Sequence, residues 1–107
     1  MSGLGELETL VLLAILHLGE RAYGVSVRDE IASRTGRHLT RGAIYTVLKR
    51  LERKGFLHGR LGEPTPTRGG RARRYLRLSE EGMSALRDTT REMDRMRAGL
   101  DIDLAGA

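Results

Sequence analysis

Thr40-Arg41-Gly42-Ala43-Ile44-Tyr45-Thr46-Val47-Leu48-Lys49-Arg50-Leu51-Glu52-Arg53-Lys54 is the stretch whose pattern decides the fold. Ile44, Val47, Leu48 and Leu51 recur at i, i+3, i+4 and i+7, one apolar stripe along a helix. At about 100° per residue, Gly42, Thr46, Lys49 and Arg53 lie roughly opposite that stripe, with Tyr45 and Arg50 on its flanks. Thr40 suits the N-cap, because its hydroxyl can accept from a free first-turn amide. Gly55, just past Lys54, suits the left-handed position that ends helices. The product is a short capped helix with one apolar side and one small, polar, cationic side. Alone, such a helix is most simply a solvated surface helix. Its surroundings decide whether it also rests on a core and offers its polar side to a partner.

Length and charge narrow the field. A chain of 107 residues is the size of one domain, with a modest core and much surface left exposed. Cysteine is absent, so there is neither a disulfide framework nor a thiolate zinc site, which fits a reducing cytoplasm. The longest apolar run, Leu10 to Leu16, falls far short of the ~20 residues that cross a bilayer, and acidic Glu6 and Glu8 precede it. No membrane association is expected. The net charge is +5, and its distribution is uneven. Between Arg37 and Arg77 lie 12 of the 19 Lys and Arg, against only Glu52 and Glu63 among the acids. A basic middle between acidic ends implies a polyanionic partner.

The remaining elements frame the quoted helix. Leu4 to Leu18 reads as a first helix with Leu7, Leu10, Val11, Ala14, Ile15 and Leu18 on one stripe; Leu13 and Leu16 widen it almost all round. A helix apolar on most sides is buried on most sides, here either within one subunit or partly against a second. Tyr23 to Arg34 reads as a second helix, closed by Gly36. Helix, short glycine-containing connection and cationic-faced helix is the helix-turn-helix order. Phe56 to Leu61 and Arg73 to Leu78 read as antiparallel strands. Between them Pro64, Pro66, Gly69 and Gly70 exclude helix, and Arg68 and Arg71 make the loop basic. The loop is either a plain hairpin tip or a wing whose arginines reach phosphates or a minor groove. Ser79 can cap a last helix, and Glu80 and Glu81 suit its first turn. Met83, Leu86, Thr90, Met93, Arg97 and Leu100 alternate by three and four with Met96 beside them, a heptad-like seam. Its methionines favour an adaptable interface.

The expected fold is therefore mainly α with a small two-stranded β-wing: a winged helix-turn-helix over residues 1–78 and a C-terminal dimerisation helix over 79–107. The sequence at this point resembles the PadR-type transcriptional regulators. The resemblance rests on Leu4-Gly5-Glu6-Leu7-Glu8 with Val11-Leu12-Leu13, then Tyr23-Gly24, then Leu39-Thr40-Arg41-Gly42-Ala43-Ile44-Tyr45 running on to Leu48-Lys49-Arg50-Leu51-Glu52 and Gly55. It continues in Gly70-Arg71-Ala72-Arg73-Arg74-Tyr75 and Leu78-Ser79-Glu80-Glu81-Gly82, and covers about residues 3 to 87. It implies a repressor that dimerises through its first and last helices and binds a palindromic operator. The chain departs from the family pattern at Thr46, where proline often follows the tyrosine. It also has no tryptophan, so the drug stacking of some compact members does not carry over.

Residue expectations follow. On the recognition helix, Thr40, Arg41, Gly42, Tyr45, Thr46, Lys49, Arg50 and Arg53 face DNA, with Lys49 and Thr46 placed to read base edges. In the wing, Arg68, Arg71, Arg73 and Arg74 meet phosphates or the minor groove. Leu7, Leu10, Val11, Met83, Leu86, Met93, Met96 and Leu100 form the dimer interface. That interface either holds an apolar small-molecule effector or is filled by its own side chains. No cofactor and no metal is expected. His17, His38 and His58 sit on three separate elements, and no phosphate loop or nucleophile elbow appears, which argues against an enzyme. The remaining rivals are a winged helix that binds protein and a non-specific DNA coat.

Overall fold

The computed structural model describes residues 3–62 and 73–104. Its elements run α1 (Glu6–Leu18), a 3-10 turn (Gly19–Arg21), α2 (Gly24–Thr35), α3 (Arg41–Arg53), β1 (Leu57–Leu61), β2 (Arg74–Leu78) and α4 (Glu80–Arg97). This is a winged helix.

Short-range chemistry sets the element ends. The Gly5 amide donates to Glu8 Oε1 at 2.9 Å across the start of α1. Ser26 Oγ accepts from the Tyr23 amide at 2.9 Å, so Tyr23 precedes α2 rather than opening it. Thr40 Oγ1 accepts from the Ala43 amide at 3.1 Å and Ser79 Oγ from the Gly82 amide at 3.0 Å. Both hydroxyls satisfy donors that a helix start leaves without a partner. Gly36 and Gly55 adopt φ of 76° and 80° after α2 and α3, a left-handed region that costs other residues strain.

The core gathers one stripe from each helix. Val11, Leu12 and Ile15 of α1 meet Val27 and Ile31 of α2 and Ile44, Val47, Leu48 and Leu51 of α3. Leu57, Leu76 and Leu86 close it from the sheet and α4. Each such side chain taken out of water contributes about 1.5–3 kcal/mol, an upper figure against a compact unfolded chain. The strands pair antiparallel from Leu57 opposite Leu78 to Leu61 opposite Arg74. A third segment joins the sheet, since the Leu76 amide donates to the Ala22 carbonyl at 2.9 Å and Tyr23 bridges Tyr75.

Two expectations about the dimer seam need correction. Val11 is fully buried and Leu86 is 4% exposed, both inside the subunit's own core. A side chain already enclosed by its own chain has no surface left for a partner. The seam was also expected to run along the helix to Leu100, but α4 ends at Arg97 and Gly99 turns the chain at φ 84°. Leu7, Leu10 and Met83 are half-buried, whereas Met93 and Met96 are 52% and 76% exposed.

Candidate nucleic-acid interface

The outer face of α3 is open along its whole length. Thr40, Arg41, Gly42, Tyr45, Thr46, Lys49, Arg50 and Arg53 are all exposed, while the opposite stripe is buried. The helix is amphipathic because its apolar residues repeat with the helical period, so burying one side necessarily projects the other. Thr46 Oγ1 donates to the Gly42 carbonyl at 2.8 Å. That bond engages its proton, and the residue itself is exposed. Among the described residues, a Cβ at 42 would meet Thr40 Oγ1 alone, at 4.0 Å. Gly42 is the second residue of α3, in its first turn, and it puts no side chain between the helix start and whatever approaches it. Tyr45 lies half in and half out. Its ring passes within 3.4 Å of where a Cβ on Gly24 would stand, which seats it on the first turn of α2.

The wing base supplies a second cationic surface. Arg68 and Arg71 lie outside the described residues. Arg73 is exposed, and its guanidinium lies 4.6 Å from the centre of the Tyr23 ring. Tyr23 meets Tyr75 edge-on at 5.9 Å between ring centres, and Arg60 lies 5.2 Å over Tyr75. Cation–π contacts of this kind hold a guanidinium in place while leaving its N–H groups free. Cross-strand pairing sets Arg60 opposite Tyr75 and His58 opposite Arg77, so His58, Arg60, Tyr75 and Arg77 share one face. Arg74 is placed differently from its neighbour: it forms an ion pair with Glu52 of α3, with Nη2 3.0 Å from Oε2. The Glu52 hydrogen bond and charge raise the Arg74 pKa above its ordinary value.

Sequence reasoning missed Tyr23, Arg60 and Arg77 as parts of this surface. The alternation Arg73–Tyr75–Arg77 was the available signal, since residues two apart share a strand face. It missed Glu8 and Lys54 altogether. Glu8 is 4% exposed on α1, yet Lys54 Nζ reaches its Oε2 at 2.9 Å from the end of α3. Burial pushes the Glu8 carboxyl up, but the Gly5 amide, Lys54 and the Arg50 charge outweigh it and hold the pKa below 4.5. The pair fastens the end of α3 to α1 across 46 residues of sequence.

No group of three or more His, Asp or Glu that could hold a metal occurs among the described residues, and no described helix is long and apolar enough to cross a membrane. The chain is similar to several solved structures. A PadR family transcription regulator from Clostridium difficile superposes with a TM-score of 0.70 at 23% identity, over 87% of this chain and 92% of that one. A PadR family transcriptional regulator from Eggerthella lenta gives 0.67 at 29% identity, over 88% of this chain and 81% of that one. F93 from STIV, described as a winged-helix DNA-binding protein, gives 0.65 at 20% identity, over 85% and 90%. Residues 12–88 match the model of the transcriptional regulator PadR-like family. With that match over most of its length and a winged-helix fold, the chain belongs to the PadR-like family of winged-helix, DNA-binding transcriptional regulators, which are not enzymes.

Proposed function

We propose that this protein is a homodimeric repressor that acts in the cytoplasm on an inverted-repeat operator. The observation that carries the reading is the outer face of α3, exposed from Arg41 to Arg53, with no side chain at Gly42 near the helix start. Gly42 lets the helix start approach the duplex closely. Lys49 donates to guanine acceptors, and the methyl of exposed Thr46 meets thymine. Tyr45 gives its hydroxyl to a phosphate, as do the guanidinium groups of Arg50 and Arg53 further along the helix; Arg41 serves base or backbone. Arg73, together with Arg68 and Arg71 of the wing, contacts backbone or minor groove.

Dimerisation is supported by apolar surface that one chain leaves uncovered: Leu13 and Leu16 on α1, 39% and 45% exposed, and Met93 and Met96 on α4. A two-fold dimer presents two recognition helices about one helical turn of DNA apart, or a multiple of it. Half-buried Leu7, Leu10 and Met83 and exposed Leu100 are the further residues of the proposed interface. An apolar effector between the subunits is the further part of the proposal, and screening heat stability against phenolics and cationic drugs tests it; no shift with any compound favours an interface filled by its own side chains.

Selection from random duplex DNA, with binding measured at two salt concentrations, tests the main reading. An inverted repeat is expected, and Lys49→Ala should relax one or two base pairs per half-site by about 1–3 kcal/mol of discrimination. Arg53→Ala and Arg73→Ala should weaken all sequences alike, and Arg73→Ala should lower the salt slope by about one. A selected site without two-fold symmetry overturns the dimer. Equal binding to every duplex favours a DNA coat, and no binding favours a protein-interaction module.

A further inference from the structure

Arg74 lies on the other face of β2 from Tyr75, and its guanidinium crosses β1 where Gly59 has no side chain. A Cβ at 59 would stand 2.5 Å from Arg74 Cζ and 2.6 Å from Nε and Nη2. From that slot Nε and Nη2 donate to Glu52 Oε1 at 3.1 and 3.0 Å, and Nη2 also to Oε2 at 3.0 Å. Glu52 sits in the last turn of α3. We infer that Arg74 is a positioning residue for DNA binding: it clamps the wing to the recognition helix through Glu52 and makes no DNA contact itself. This rests on the DNA-binding reading above.

The physical case is one of geometry and charge. A two-pronged pair between a planar guanidinium and a carboxylate fixes orientation as well as distance. The recognition helix and the wing meet the duplex at separate places, so their relative angle decides whether both engage at once. A wing held at that angle in the free protein avoids an ordering cost on binding. Exposed ion pairs add little to folding stability, so the clamp shows in DNA affinity rather than in melting. The alternative is that Arg74 is a phosphate contact parked on Glu52 until DNA arrives. The two differ in sign. If Arg74 is parked, Glu52→Gln releases it and removes a negative charge, and binding tightens. If Arg74 clamps, the same change loosens the wing and binding weakens.

The test uses the duplex that the wild-type chain selects most strongly from a random pool, titrated across salt. Arg74→Gln and Glu52→Gln are each expected to weaken binding about tenfold, with the double variant no worse than either, as coupled neighbours behave. The salt slope stays at the wild-type value. Exchanging the charges, Glu52→Arg with Arg74→Glu, restores most of the affinity. Gly59→Ala need displace only the flexible end of Arg74, and should match Arg74→Gln while the fold stays intact. Tighter binding by Glu52→Gln, or a slope lowered by about one in Arg74→Gln, overturns the clamp. A second arm needs no DNA. The Gly62 amide donates to the Arg73 carbonyl at 2.8 Å at the wing base, and its hydrogen exchange should quicken in both single variants. Unchanged protection overturns the clamp. A wild-type chain that binds no duplex at low salt overturns the DNA-binding reading and the role in it, and the exchange arm then shows that the fault lies there rather than in the clamp.

Discussion

α3 and α4 are both strongly amphipathic helices, yet they are finished differently. The apolar stripe of α3 is covered by its own chain: Ile44, Val47, Leu48 and Leu51 are at most 5% exposed. The stripe of α4 is covered only at its start, where Gly82, Ala85 and Leu86 are buried, and Met93 and Met96 stand in solvent. Periodicity predicts that a helix has an apolar side. It does not say whether the same chain or another one covers that side. Where the outer face of α3 is charged, exposure reads as a surface for DNA. Where the uncovered side of α4 carries methionine, exposure reads as a surface for a second subunit.

The largest effect is expected from the covered stripe. Leu51 is fully buried, so Leu51→Ala should lower unfolding free energy by about 2–5 kcal/mol, read by urea denaturation. A loss under 1 kcal/mol would mean that the site collapses around the gap and that α3 is packed more loosely than it stands here. Met93→Arg acts on the other stripe. It places a charge in the proposed subunit contact, which costs several kcal/mol unless it finds a partner. Sedimentation should show the shift from dimer to monomer, and tight operator binding should vanish, while the secondary structure of the monomer stays as it was. Wild-type protein sedimenting as a monomer at micromolar concentration contradicts the dimer outright.

What could be read in advance divides along the same line. Thr40 and Ser79 were recognisable as caps because a cap is a local event, decided three residues away. The helix order, the two strands and the outward residues of α3 followed from period and turn chemistry. Strand and helix starts shifted by a residue or two, as at Gly5 and Tyr23, because side chains and carbonyls further along compete for the same amides. Val11 on the first helix's stripe and Leu86 on the α4 seam read as partner-facing because spacing alone cannot tell which edge of an apolar stripe faces its own core. Arg74 with Glu52, Lys54 with Glu8, and Arg73 with Tyr23 join residues far apart in sequence. Such pairs exist only once the fold has brought them together, and charge counting alone saw free cations.

A middle-sized effect compares how the two helices end. α3 is tied by Lys54 to a buried Glu8, whereas α4 ends near an exposed local pair, Arg97 with Asp94 at 2.6 Å. Glu8→Gln should cost about 1–3 kcal/mol at pH 7, because Lys54 and the Gly5 amide lose a charged acceptor. The Glu8 pKa is lowered on folding, so its stabilisation is fully present above the unfolded value near 4.5 and is lost as pH falls through the folded value. Melting curves of the two proteins should therefore converge in acid. A gap that persists there would assign the effect to packing rather than charge. Asp94→Asn, on the exposed pair, should stay within about 0.5 kcal/mol of wild type.

A change of modest size has the sharpest bearing on α4. Thr90 interrupts the methionine and leucine seam, and its hydroxyl donates to the Leu86 carbonyl at 3.0 Å, one turn back. Thr90 is exposed in the single chain. If this side meets a partner, leucine at 90 places new apolar area in a contact that excludes water and should tighten the dimer by about 1 kcal/mol per subunit. If it meets only solvent, the same change adds exposed apolar surface and gains nothing beyond a few tenths of a kcal/mol in helix propensity. Measuring the monomer–dimer dissociation constant by sedimentation separates the two, because propensity raises monomer stability without changing association. A Thr90→Leu chain that dissociates as wild type does, yet melts slightly higher, would move the subunit contact away from this stripe and leave α1, with Leu13 and Leu16, to carry it.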